Sequence, residues 1–288
     1  MDVNSSAIRC PVCFRHCLLE EGHTGSCLAR ANIGGESVSL NYGQVTSLAL
    51  DPIEKKPLAM FHPGSRILSV GSFGCNLHCS FCQNWQISQE MAEGEYISPE
   101  ELADLAEREK KHGNIGIAFT YNEPTIGFEY IRDTAAIVHE RGMKNVLVTN
   151  GSVTLETLRT FLPYIDAMNI DLKSFSETFY RKAGGDLETV KAFIRESAAS
   201  CHVEITTLVV TGENDSLEEM DALAAWIASI NPEIPLHVTR FFPRYRMTDR
   251  PATNVSRLME LVQTAEKHLK NVFPGNISRW EMTPTSSA

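Results

Sequence analysis

The chain has 288 residues, with 26 Lys and Arg against 36 Asp and Glu, a net charge of −10, 43% hydrophobic residues and eight cysteines. That length suits one large domain or two ordinary ones, and the apolar fraction excludes a disordered chain. The acidic balance argues against a nucleic-acid partner, which would need a basic face. No apolar run approaches the about 20 residues of a membrane span, and the start MDVNSSAIRC lacks the charged and apolar regions of a signal peptide. A cytoplasmic location without a membrane partner is expected.

Residues 1–35 are poor in hydrophobic periodicity and rich in Cys, Gly and small polar residues. Such a stretch cannot build its own core and calls for a metal staple. Cys10, Cys13, Cys17 and Cys27 have the spacing C-x2-C-x3-C-x9-C. Four thiolates suit tetrahedral zinc or, equally, a second iron–sulfur cluster; free or redox-active thiols are the third reading. Residues 36–50 alternate polar and apolar around Asn41-Tyr42-Gly43, which predicts a β-hairpin. Residues 51–64, with three prolines, predict an irregular connection. The stretch 1–64 is thus set apart from a core spanning 65–288.

From residue 66 the pattern changes. Residues 66–72 are a short apolar strand leading into Cys75, Cys79 and Cys82. Ser98-Pro99-Glu100-Glu101 opens a helix, with Ser at the N-cap, Pro at the first helical position and Glu three residues after the cap. Strands follow at 115–120, 145–149, 167–172, 202–210 and 235–241. Helices are expected at 125–141, 154–162, 186–200, 216–229 and 254–269. Six strands, each followed by a helix, mean an α/β fold with a parallel sheet and outer helices. It is either an open doubly wound sheet or a partly closed barrel. Both carry their sites at the C-terminal strand ends.

The first strand ends in GCNLHCSFC, spacing C-x3-C-x2-C. Three thiolates on one tight loop can hold a cubane [4Fe-4S] cluster and leave one iron open for chemistry. Structural zinc wants a fourth ligand, and only His78 lies nearby. Cys201, alone, reads as a small core residue.

The motif GCNLHCSFCQNW resembles the radical S-adenosylmethionine (radical SAM) superfamily, whose cluster loop is C-x3-C-x-aromatic-C. The resemblance implies a partial (β/α)6 TIM-like barrel, with S-adenosylmethionine chelated at the open iron. Reductive cleavage then gives a 5′-deoxyadenosyl radical that abstracts hydrogen from a substrate. It further implies an electron donor such as flavodoxin or ferredoxin. It assigns the catalytic cluster to Cys75, Cys79 and Cys82, with the aromatic Phe81 beside the cofactor. Glu123, in TYNEP, matches the family's acidic residue for the methionine ammonium, with Tyr121 and Asn122 replacing glycines; its other reading is a helix cap. Gly34-Gly35-Glu36 is a literal copy of that motif, but it precedes the cluster loop and heads a hairpin. Thr149 and Asn150 match a cofactor-binding Thr-Asn-Gly, while Val148 replaces an acid that a cation site would need. Asp171 and Lys173 match the family's Asp-x-Lys near cofactor and substrate, where Lys173 is assigned a catalytic part; an interior salt bridge is the alternative. His237, in PLHVTRFFP beside Arg240, matches a cofactor-contacting His, although a lone strand His is more often a core residue. Gly212 and Asn214 resemble the turn over the adenosine.

The N-terminal CPVCFRHC, DPIEKKPL and HVTRFFP together resemble the radical SAM component of the AmmeMemoRadiSam system, commonly described as similar to pyruvate formate-lyase-activating enzyme. Relatives of that branch carry a Cys-Pro-x-Cys knuckle after a Gly-Asn-Val segment; here no cysteine follows Gly275-Asn276-Ile277. The substrate is a protein or a small molecule. The two competing readings are an activase for a glycyl-radical enzyme and a non-catalytic iron–sulfur or zinc redox protein.

Overall fold

A computed structural model describes residues 7–278. The signal-peptide reading of the first residues and the cysteine-free stretch after Ser278 fall wholly or mainly outside them. The main sheet has eight strands: β1 (Ser47–Pro52), β2 (Arg66–Gly71), β3 (Asn114–Phe119), β4 (Lys144–Thr149), β5 (Ala167–Asp171), β6 (His202–Val209), β7 (Leu236–Arg240) and β8 (Val272–Gly275). They lie side by side in chain order. β1 is antiparallel to β2, and every other pair is parallel.

That order decides between the two architectures. A doubly wound sheet reverses its strand order, whereas here every crossover steps in one direction. All connecting helices therefore pack on one face, and the other face curls around an interior. The result is an open, mostly parallel barrel-like sheet with an antiparallel edge. The longer helices are α1 (Pro99–Arg108), α2 (Phe128–Glu140), α3 (Leu155–Phe161), α4 (Leu187–Ala198), α5 (Leu217–Ile230) and α6 (Val255–Ala265). Local sequence explains their starts. Ser98 and Glu101 form a reciprocal capping box on α1. Thr154, Asp186, Ser216 and Asn254 each accept backbone N–H bonds at the heads of α3, α4, α5 and α6. Alternate strand residues such as Ile117, Leu147, Ile170 and Ile205 are fully buried, as parallel strands covered on both faces require. Gly116 is dictated by backbone proximity: a Cβ there would sit 1.8 Å from the Lys144 carbonyl oxygen.

Three expectations change. The hairpin is not centred on Asn41-Tyr42-Gly43. Arg30–Ile33 pairs with Glu36–Ser39 around Gly34-Gly35, both in the left-handed region that a two-residue turn needs. Asn41 is instead buried, donating 2.9 Å to the Phe73 carbonyl, and Gln44–Val45 pairs with Glu95–Tyr96. Ser47–Pro52 joins the main sheet across the irregular connection. Finally, a short helix at Glu177–Lys182 and a seventh parallel strand, β8, add to the six repeats. Val12, Leu19 and Val45 share the principal core with Leu147 and Ile205.

Candidate active site

Cys75, Cys79 and Cys82, with Phe81, line one cavity of about 400 Å³ at the C-terminal end of the sheet. The loop that presents them is fixed from behind. Gly74 has φ +89°, and a Cβ there would sit 2.5 Å from the Cys27 carbonyl oxygen. Arg15 donates to the carbonyls of Asn76 (2.8 Å) and Gly184 (2.5 Å). Asn122 bridges strand end and loop, accepting from Ser72 N–H and donating to the carbonyls of Phe73 and Gly74, each at 3.1 Å. Phe81 is buried against Phe179. Leu77 N–H, at 3.4 Å, and Asn150 Nδ2, at 3.7 Å, point at Cys75 Sγ. Such N–H···S bonds are among the levers that set a cluster's potential.

Burial, followed by the Glu123 charge, pushes the Cys75 thiol well above its ordinary value; burial pushes Cys79 up to about 11. A metal group bound there must displace protons, so loading is pH-dependent. His78 is spoken for on both ring nitrogens, by Ser26 Oγ at 2.7 Å and Gln89 Oε1 at 2.9 Å. Three thiols without His78 suit a cubane with one open iron.

Glu123 lines the same cavity and is 2% exposed. Its carboxylate accepts from Thr125 N–H (3.1 Å), Thr125 Oγ1 (2.5 Å), Thr149 Oγ1 (2.7 Å) and Asn150 N–H (2.6 Å). It therefore caps a short 3-10 helix and ties the ends of β3 and β4 together while facing the cavity. Burial raises its pKa against these donors. Three of the four bonds fall on Oε1, which leaves Oε2 the freer oxygen. Asn150 also donates 3.0 Å to Asn76, a fully buried residue of the cluster loop. Asp171 and Lys173 emerge from β5 into the cavity as a 2.7 Å ion pair. Burial works against the Lys173 charge, but Asp171 and the Cys79 sulfur hold its pKa above the ordinary lysine value. Asn214 closes this corner by donating 2.7 Å to the Lys173 carbonyl.

His237 is placed elsewhere. Its Nε2 lies 2.6 Å from Glu204, its ring stacks on Phe273, and Thr239, two residues on, lines the cavity instead. Glu204 is fully buried; besides His237 it binds His202 at 3.0 Å and the backbone N–H groups of Ala59 and Met60 at 2.9 and 2.8 Å. Burial alone would raise its pKa, yet these four partners hold it at about 2. Asn169 adds a 2.8 Å bond to the Pro57 carbonyl. The proline-rich connection is thus tethered inside the barrel, one side-chain step below Asp171 and Thr206. It brings Lys55, Lys56 and Pro57 to the cavity wall, beside Tyr121. None of these four was singled out as a site residue from sequence. The visible signal was a Lys-Lys pair held between prolines in an acidic chain.

At the N-terminus, Cys10, Cys13 and Cys27 are buried and Cys17 half-buried. Cys10 N–H donates 2.9 Å to the Cys17 carbonyl, closing the first turn. Burial pushes Cys13 up to about 11 and raises Cys27, with neighbouring thiols of the set adding to both. Among the described residues, no group of three or more His, Cys, Asp or Glu side chains stands ready to hold a single metal ion. A cubane is several atoms wide and spreads its thiolates farther than one ion does, so this geometry bears on zinc rather than on the cluster loop. Cys201 donates 3.6 Å to the Ser197 carbonyl, apart from both groups. Among the described residues, no helix is long and apolar enough to cross a membrane.

Residues 69–227, which hold the cluster loop and the strand ends facing it, match the Radical SAM superfamily. An uncharacterized protein of Methanocaldococcus jannaschii is 39% identical over 282 residues, covering 96% of this chain and 83% of its own. The 7-carboxy-7-deazaguanine synthase of the same organism is 21% identical over 226 residues, 72% of this chain and 87% of its own. Among solved structures, SuiB of Streptococcus suis bound to S-adenosylmethionine aligns with a TM-score of 0.58 at 14% identity, over 71% of this chain and 48% of that one. SuiB has also been solved with its precursor peptide SuiA, at a TM-score of 0.56, 14% identity and coverage of 71% of this chain and 47% of that one. A radical SAM methyltransferase from Sphaerobacter thermophilus aligns at 0.57 and 16% identity, over 75% and 67% of the two chains. The chain is an enzyme and belongs to the radical SAM superfamily.

Proposed function

We propose that Cys75, Cys79 and Cys82 hold a [4Fe-4S] cluster and that S-adenosylmethionine binds beside it in the same cavity. When bound, this pair supplies a 5′-deoxyadenosyl radical by one-electron cleavage of the sulfonium. The observation that carries the reading is convergence: three thiols from one loop and polar side chains from β3, β4 and β5 line one cavity.

The residues then have distinct tasks. Glu123 Oε2 suits the methionine ammonium, since a buried carboxylate binds a cation by a charge-assisted bond. Asn122, Thr149 and Asn150 hold that carboxylate and the cluster loop in register. Asp171 and Lys173 face cofactor and substrate with a balanced pair of charges. Phe81 excludes water beside the cluster. His237, bonded to Glu204, acts on this site from below by fixing the barrel floor. The electron comes from a carrier such as flavodoxin or ferredoxin.

The substrate class follows the AmmeMemoRadiSam-type reading, supported by the N-terminal thiol segment. A peptide substrate is compatible with SuiB's peptide complex, and a glycyl-radical enzyme is the second reading. For residues 10–27, a zinc ion or a second cluster remains the reading from the four-cysteine spacing; the thiols are near enough to raise one another's pKa but are not gathered around a single ion, which favours the cluster. Iron, sulfide and zinc analysis of anaerobically purified protein separates these outcomes: about four irons with one zinc, or about eight irons, lowered in Cys13→Ala. For the main site, reconstituted protein reduced with dithionite forms 5′-deoxyadenosine, and Cys79→Ala forms none. A wild-type cluster that is intact yet yields no 5′-deoxyadenosine overturns the proposal.

A further inference from the structure

The tether beneath the cavity leaves one buried cation without a role in the reading above. Lys56 is 2% exposed and lines the cavity. Its ammonium donates to Asp51 Oδ2 at 2.9 Å and lies 4.6 Å from the centroid of the Tyr121 ring. An ammonium has three N–H donors. Asp51 takes one, and among the described residues no second protein acceptor is within hydrogen-bond distance. Buried charges in proteins are ordinarily fully hydrogen-bonded, so the remaining donors point to an acceptor brought by a ligand.

The surroundings fix that group in place, although burial lowers its pKa against the support of Asp51. Asp51 is shared by Lys56, by Lys55 at 3.1 Å and by the Tyr121 hydroxyl at 2.8 Å. Two cations face one carboxylate, so this wall carries net positive charge in a chain of net charge −10. Tyr121 adopts φ +74°, a conformation a tyrosine takes only under constraint, and its ring lies against Gly71, where a Cβ would come within 2.8 Å. Below, Glu204 and Asn169 fix the backbone from Pro57 to Met60. The lysine is thus pre-positioned and cannot retreat to solvent.

We propose that Lys56, braced by Asp51 and Tyr121, binds an anionic group of the substrate, a carboxylate or a phosphate, at this wall of the cavity. This rests on the radical SAM reading of the same cavity. The anion pins one end of the substrate so that its reacting carbon is presented upward, toward the cluster loop. Lys56 is a positioning residue.

The test uses full-length, cluster-loaded, unreduced protein with saturating S-adenosylmethionine, which fills the cofactor's own anion contacts. Inorganic phosphate or acetate is titrated against chloride at constant ionic strength, with the thermal unfolding midpoint as readout. In the wild type and in Lys56→Arg, phosphate or acetate raises the midpoint more than chloride does, and the stronger of the two names the anion. In Lys56→Met the apparent affinity falls about tenfold or more. Lys56→Gln retains a donor to Asp51 and gives the same loss should the Met variant not fold. Equal anion effects in wild type and the neutral variants overturn the proposal, as does an absent anion effect in the wild type. Uncoupled 5′-deoxyadenosine formation after reduction is measured on the same samples. Its absence everywhere refutes the radical reading, while its persistence in Lys56→Met shows that the cofactor site is intact.

Discussion

At the scale of single residues, the site divides into groups whose partners are local and groups whose partners are distant. Cys75, Cys79 and Cys82 belong to the first kind: three candidate ligands within one loop need no knowledge of the fold, and their spacing alone marks them. Glu123 was legible as an acid at a strand end, but its fourfold engagement was not, because two of its donors come from Thr149 and Asn150 on the next strand. Lys56, Asn76 and Glu204 are of the second kind. Nothing near Glu204 in sequence marks it as the anchor of Ala59 and Met60, more than 140 residues earlier. Its consequence is measurable. At about 1.4 kcal/mol per pKa unit, a fall from 4.5 to about 2 contributes roughly 3 kcal/mol. A depressed carboxylate binds fewer protons when folded than when unfolded. The contribution is therefore complete above about pH 4.5 and is lost as pH falls toward 2. Denaturant-derived stability of wild type and Glu204→Gln should differ by about this amount at neutral pH and converge as pH falls through that window. A gap that stays constant down to acid pH contradicts the assignment.

Elements were easier to read than their pairings. Periodicity and caps place α1 through α6 and β2 through β7 because both signals act within a few residues. Pairing partners are not local, so the alternation of Ser47–Pro52 fitted a hairpin as well as the edge of the main sheet. β8 was missed for a physical reason: VFPG is short, half-exposed and carries a proline, which is tolerated at the outer edge of a sheet. The short helix Glu177–Lys182 lacks enough residues for a helical period to show. The same scale governs the cluster loop, which is an element held by another element. Gly74→Ala would put a Cβ 2.5 Å from the Cys27 carbonyl, and the φ of +89° is itself costly for alanine. Far-UV circular dichroism should stay native-like while bound iron after reconstitution falls severalfold. Full iron loading would show that the N-terminal segment does not set the loop's position.

The molecule as a whole bears on whether residues 7–64 form a separate unit. Sequence favoured one, since the segment has no period and many cysteines. Some of its apolar residues nevertheless join the common core: Leu19 is 2% exposed and Val12 likewise, within the same cluster as Leu147, Ile205 and Leu236. Strand β1 adds six residue pairs to β2, and Val12 accepts a 3.0 Å bond from Thr154 at the head of α3. Joined this way, the segment is expected to open together with the barrel rather than to detach from it. Leu19→Ala should therefore cost about 2–5 kcal/mol of global stability, the usual range for emptying a buried leucine site. The loss should appear at a distance. Native-state hydrogen exchange at the amides of β7 should accelerate in step with exchange at Ala29 and Ala31, because both report one cooperative opening. If exchange rises only between residues 10 and 46 while β7 keeps its protection, the N-terminal segment is an independent folding unit. Its buttressing of the cluster loop would then be a docking contact between two bodies.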